Sequence, residues 1–290
     1  MTLFLDIRLS PTGGDLAASV AINQGTDIGN YQSLGTSQLL GGIQGRHVLI
    51  GTHGFNVNRA DGIAHLSKWE GLLQLAPTSV FVGLLWPGDS IWAHGLEYPE
   101  APRIADEAGR LIAPFLDANF GCAASLSFVS HSLGARVVLE TVSQMSLPVR
   151  RVTLMAGAID DDCLNTEFKT AAAKIGEVSV LASRKDEVLS AAFPLGDFFA
   201  GIIAEGHPWW RAALGHLGPS NPKPENFQAP FQIPDNWDFG HGDYLRIDPS
   251  LPPLVATPTD VPPNGAALPA GGACGWQEAW SAAFSSTRFR

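Results

Sequence analysis

The chain has 290 residues, 45% of them hydrophobic, and a net charge of −10 from 18 basic and 28 acidic side chains. This is enough apolar content for one large α/β core or two small ones. The acidic balance, with no basic cluster, speaks against a nucleic-acid partner, whose phosphates are met by Lys and Arg. Three scattered cysteines, Cys122, Cys163 and Cys274, define neither a disulfide framework nor a metal spacing. No stretch reaches the roughly 18 consecutive apolar residues of a membrane span, and Met1-Thr2-Leu3-Phe4-Leu5-Asp6 reads as a strand and not as a signal peptide. A cytoplasmic location is therefore expected.

In chain order, residues 2–8 and 16–22 are apolar and flank the turn signal Ser10-Pro11-Thr12-Gly13-Gly14-Asp15, which predicts an antiparallel hairpin at a sheet edge. Gly25 to Gly45 shows no clear period and is expected to be loop. Arg46 to Gly51 reads as a buried strand, followed by Thr52-His53-Gly54-Phe55-Asn56-Val57-Asn58 and a helix capped by Asn58. Residues 79–86 form the next strand, ended by Pro87-Gly88-Asp89, and 99–118 the next helix. Further strands are expected at 126–131, 151–156 and 177–183, with helices at 134–145 and 165–175. Strand and helix alternating at this rhythm imply βαβ units and a mostly parallel sheet with helices on both faces. Ligands of such sheets sit beyond the carboxyl ends of the strands. The chemistry should therefore lie just after residues 51, 86, 131, 156 and 183.

One of these places is distinctive. The run Leu126 to His131 ends in Ser130-His131-Ser132-Leu133-Gly134, and an apolar helical pattern follows at once. A strand, a very tight turn and a helix put Ser132 at the apex, where strained backbone angles lift its hydroxyl off the sheet edge. Ser130 and Gly134 are the small neighbours that such a turn needs. This small-x-Ser-x-Gly pattern resembles the nucleophile elbow of the α/β-hydrolase superfamily, with Ser130 where Gly is usual. His53-Gly54-Phe55-Asn56 resembles the His-Gly oxyanion loop of esterases and lipases. The resemblance covers residues 46–245, and within it the Gly-Phe-Asn loop and Trp86-Pro87 look like a bacterial esterase/lipase-like branch.

The resemblance implies an α/β-hydrolase fold and a serine nucleophile whose partners follow in the order acid, then histidine. Asp186, three residues beyond a strand, is favoured as the acid over Asp160, for which helix capping is the simpler role; Glu187 is the fallback. Among the later histidines, His241 stands between Gly240 and Gly242 on a turn that can reach the elbow. His207 and His216 belong to an aromatic segment, and His131 should point away from Ser132 as a packed residue. The backbone amides of Phe55 and Leu133 would form the oxyanion hole, with Gly54 allowing close approach. The implied reaction is carboxylic ester hydrolysis through an acyl-enzyme on Ser132, with no metal or organic cofactor.

Residues 189–235 are rich in aromatic groups and broken by prolines, and are expected to form a helical lid or cap insertion. Trp209 and Trp210, with Trp86 and Gly54, are expected to contact substrate, giving a pocket for an apolar acyl or alcohol group of a small-molecule or lipid-like ester. The hydrolase domain is expected over 1–248. A Pro/Ala/Gly-rich extension over 249–290 ends in a short helix containing Trp276, Trp280 and Phe284. The same triad serves thioesterases, acyltransferases and peptidases, and the same fold serves inactive binding proteins. Oligomeric state is not legible.

Overall fold

The computed structural model describes residues 1–73, 75–89, 101–192, 212–228, 232–233, 235 and 238–245. The N-terminal hairpin forms as expected. Strand β1 (Thr2–Arg8) pairs antiparallel with β2 (Leu16–Gly25), which pairs in turn with the two-residue β3 (Gln32–Ser33). Helix α1 (Thr36–Ile43) follows, inside the stretch expected to be loop. Two consecutive glycines and a single buried pair, Leu39 and Ile43, hid its period.

The parallel part is β4 (His47–Thr52), α2 (Arg59–Leu73), β5 (Ser79–Leu85), α3 (Ala101–Asn119), β6 (Ser125–His131), α4 (Gly134–Gln144), β7 (Val149–Met155), α5 (Lys169–Lys174) and β8 (Ile175–Leu181). Its strands are buried along almost their whole length, as strands covered on both faces must be, and β7 takes even Arg151 inside. Helix α5 starts later than the expected residue 165, because turns closed on the carbonyls of Asp160 and Asp162 occupy the intervening residues. Short α6 (Glu187–Ala192) and α7 (Leu214–Leu217) follow, and then β9 (Phe227–Gln228).

Among the described residues the sheet has nine strands in the order β3-β2-β1-β5-β4-β6-β7-β8-β9, with every pair from β1/β5 to β8/β9 parallel. The chain steps one way from β4 to β5 and the other way from β5 to β6 and β7. Right-handed crossovers therefore put α2 on one face and α3, α4 and α5 on the other. Register aligns the carboxyl ends: Thr52 with Ser130, His131 with Met155, and Met155 with Leu181. The segments after these residues share one rim.

Part of the segment expected as a lid is built into the sheet instead, since Phe227 and Gln228 pair with Val178 and Ser179. Residues 193–211, which include His207, Trp209 and Trp210, and the whole 249–290 extension lie outside the described residues. Among the described residues no helix is long and apolar enough to cross a membrane.

Candidate active site

Ser132 turns the chain from β6 into α4 with φ of +53°, a left-handed value that costs a non-glycine residue energy and is kept only where its surroundings enforce it. Its amide donates to Met155 O at 2.9 Å, and its carbonyl accepts from Ala158 N at 3.2 Å. These bonds tie the turn to β7 and the loop beyond. Gly134 is required for a reason more specific than contact between strand and helix. A Cβ there would lie 2.4 Å from the His53 carbonyl oxygen, so α4 starts directly against the loop after β4. Ser130, on the other side, is fully buried. Further along α4, buried Arg136 bonds Asp106 of α3 at 2.7 Å, pairs with Glu167, and lies over the Phe168 ring. The elbow helix is thereby fixed to both neighbours.

The structure brings Ser132, Asp186 and His241 together from three separate loops. Ser132 Oγ donates to His241 Nε2 at 3.0 Å, and His241 Nδ1 donates to Asp186 Oδ2 at 2.8 Å. Asp186 is fully buried and holds two positions at once. Its second oxygen accepts the Leu189 amide at 2.9 Å, capping α6, so its direction is fixed from the helix side as well. Ser132 keeps 7% exposure and the His241 side chain 18%, so both remain reachable from solvent. The weighed alternatives lie elsewhere. Asp160 forms an isolated bridge to Ala213, Glu187 is exposed on α6, and His216 Nδ1 donates to Ser183 O at 3.2 Å.

The loop after β4 passes close over the nucleophile. A Cβ on Gly54 would come within 2.8 Å of Ser132 Cβ. His53, buried against the Trp86 ring, donates from Nδ1 to Gly54 O at 2.9 Å. The Gly54–Phe55 peptide is planar and trans, so this bond also turns the Phe55 amide away from the His53 ring. The Leu133 amide, at the head of α4, makes no hydrogen bond among the described residues. Unpaired amides and the helix dipole favour an anion there.

Trp86 departs from its expected substrate-facing role. It is fully buried, and its indole N–H donates to His53 O at 2.9 Å, so it supports the loop from beneath.

Sequence reasoning missed what His131 does. Its side chain does not reach the nucleophile, but its Nε2 donates to the backbone carbonyl of His241 at 2.8 Å, and its ring lies 5.8 Å from that of buried Tyr244. It steers the loop that carries His241. Strand position alone placed it on the right rim, but a bond to a backbone atom 110 residues away leaves no local signal.

His53 and His131 are both pushed down to a pKa of about 3, mainly by burial, to which the neighbouring His241 adds for His131. Both therefore stay neutral, as their roles as single donors require. The unfolded chain takes up these protons below about pH 6.5, whereas the folded chain resists until near 3. Their contribution is complete above pH 6.5 and is lost as pH falls. From pH 7.5 to 5 the cost is on the order of 2 kcal/mol for each histidine. Urea unfolding midpoints at the two pH values should show this loss, and replacing His131 by Gln should roughly halve the part due to the pair. Equal stability at both pH values contradicts it.

A serine on a strained strand-to-helix turn, at the carboxyl rim of a mostly parallel sheet covered on both faces, marks the chain as an α/β hydrolase. More narrowly, it belongs to the family described as alpha/beta hydrolase of unknown function (DUF900), whose model matches residues 36–198. That match includes Ser132 and Asp186 but neither the N-terminal hairpin nor His241. Comparison with curated proteins gave no match. Among solved structures, the chain is similar to YbtT, a type II thioesterase from the yersiniabactin NRPS/PKS biosynthetic pathway, at 18% identity and a TM-score of 0.27. The alignment covers 57% of this chain and 54% of that one, so the chain spans about half the length of the thioesterase.

Proposed function

We propose that the protein is a serine hydrolase that cleaves carboxylic esters through an acyl-enzyme on Ser132. The observation that carries this reading is the unbroken chain of hydrogen bonds from Ser132 Oγ through His241 to Asp186, at 3.0 and 2.8 Å. A serine hydroxyl is a weak nucleophile until an oriented base takes its proton. His241 Nε2 receives that proton as Ser132 Oγ bonds to the ester carbonyl carbon. The carbonyl oxygen takes the negative charge, facing the amides of Phe55 and Leu133. The tetrahedral centre collapses, the bond to the alcohol oxygen breaks, and His241 passes the proton to that oxygen. Water, deprotonated by His241, then attacks the acyl carbon and releases the acid and Ser132. The Asp186 carboxylate holds Nδ1–H in place and stabilises the imidazolium. The Gly-Phe-Asn loop supports placement in an esterase/lipase-like branch. The aromatic 189–235 segment, with Trp209 and Trp210, supports an apolar acyl or alcohol pocket, and we assign the part of it before β9 the role of a lid on a domain spanning 1–248.

The test is covalent labelling with a fluorophosphonate beside a p-nitrophenyl ester series of increasing acyl length. Wild type is expected to label at Ser132 and to favour the longer apolar acyl groups. A chain that neither labels nor hydrolyses an activated ester is a binding protein on a hydrolase fold. Indifference to chain length, or preference for a charged substrate, removes the apolar pocket.

A further inference from the structure

The hairpin that precedes the family-matched residues supplies a part of the site. Because β1 runs parallel to β5, with Leu5 beside Leu84 and Asp6 beside Leu85, its carboxyl end reaches the same rim as Trp86. Arg8 ends β1 there with a side chain at 0% exposure. Its Nη1 donates to Val57 O at 3.1 Å and to Trp86 O at 2.8 Å, one carbonyl from each of the loops after β4 and β5. Its Nη2 pairs with Asp89, whose other oxygen accepts the Gly13 amide at 3.0 Å. The loops also meet directly, Asn56 N donating to Gly88 O at 2.6 Å.

A buried cation is costly unless paired and fully hydrogen-bonded, and Asp89 with these carbonyls meets both conditions. The rigid fork of a guanidinium can hold carbonyls that lie in different directions, whereas an ammonium is a single point. Between Phe55 and Val57 stands Asn56 at φ +60°, a left-handed turn that asparagine tolerates and that re-aims the chain between the two loops. The Gly88 bond holds one side and Arg8, through Val57 O, the other.

We infer that Arg8 is a positioning residue: it clamps the loops after β4 and β5 to each other and so fixes the Phe55 amide over Ser132. This rests on the proposed ester hydrolysis. Arg8 touches no reacting atom, so its effect belongs to the transition state and not to substrate affinity.

The test is Arg8→Lys, which keeps the charge that Asp89 needs and loses the fork. Its kcat on a p-nitrophenyl ester is expected to fall about 10- to 100-fold, with KM within about threefold of wild type. Affinity for an alkyl boronic acid, a mimic of the tetrahedral state, should fall by a similar factor. Amide hydrogen exchange over residues 53–58 should speed up by at least about tenfold, as expected of a loop that opens locally. If the lysine variant does not fold, Arg8→Met combined with Asp89→Leu removes both charges together and carries the same expectations. A folded variant with wild-type kcat, or one whose kcat falls while exchange over 53–58 stays at the wild-type rate, overturns the clamp. A wild type that neither labels nor hydrolyses overturns the proposed function instead, and the exchange comparison then decides the clamp alone.

Discussion

Ser132→Ala is expected to abolish fluorophosphonate labelling and to lower ester turnover by about a millionfold, the loss usual when the nucleophile of a working triad is removed. The variant should fold normally. Alanine keeps the Cβ against which Gly54 packs, and it meets the same strain at φ +53° as serine does. Only the Oγ–H bond to His241 disappears, and that imidazole is partly open to water, which takes over the bond; the stability change should stay within about 1 kcal/mol. Active-site titration with the same probe gives the reading. A Ser132→Ala chain that still labels places the nucleophile elsewhere and ends the proposal.

Asp186→Asn should cost about ten-thousandfold in kcat while leaving the fold intact. The asparagine side chain can still accept the Leu189 amide, so the cap on α6 survives. Toward His241 it can present an NH2 group, which favours the tautomer protonated at Nε2, and that tautomer cannot take a proton from Ser132. Asp186→Ala separates the two duties, because it adds the lost cap, about 1 kcal/mol, to the lost activity. Asp160→Asn, changed on the neighbouring loop, should remain near wild type. Steady-state kinetics with a thermal melt for each variant decides. An Asp186→Asn enzyme as active as the parent removes this carboxylate from the mechanism.

The parts of the fold legible in the sequence were those with a strong local period. The strands expected at 46–51, 79–86, 126–131, 151–156 and 177–183 each match a strand of the sheet, with ends shifted by no more than two residues. Helix α1 was not legible because glycines at 41 and 42 broke its pattern, and β9 because two residues carry no period at all. At the candidate site, the tight turn at Ser132 is legible from its neighbours, and the meeting of Asp186 and His241 with it from their order along the chain. What chain order cannot express is contact. The His131 bond to the His241 carbonyl, the Trp86 bond to the His53 carbonyl and the Arg8 bonds to Val57 and Trp86 all end on backbone oxygens. Every residue type offers a backbone oxygen, so no pattern of side chains reveals which one is used.

The position of β1 has a consequence for how the molecule is made. The hairpin is synthesised well before β5, yet its inner edge lies against that strand, more than seventy residues later in the chain. Until β5 emerges, β1 presents an open row of amides and carbonyls, the kind of edge on which nascent chains aggregate. Pairings this far apart also slow folding, since the loop must close before any contact rewards it. The protein should therefore refold slowly and in a concentration-sensitive way, with the docking of β1 against β5 among the last events.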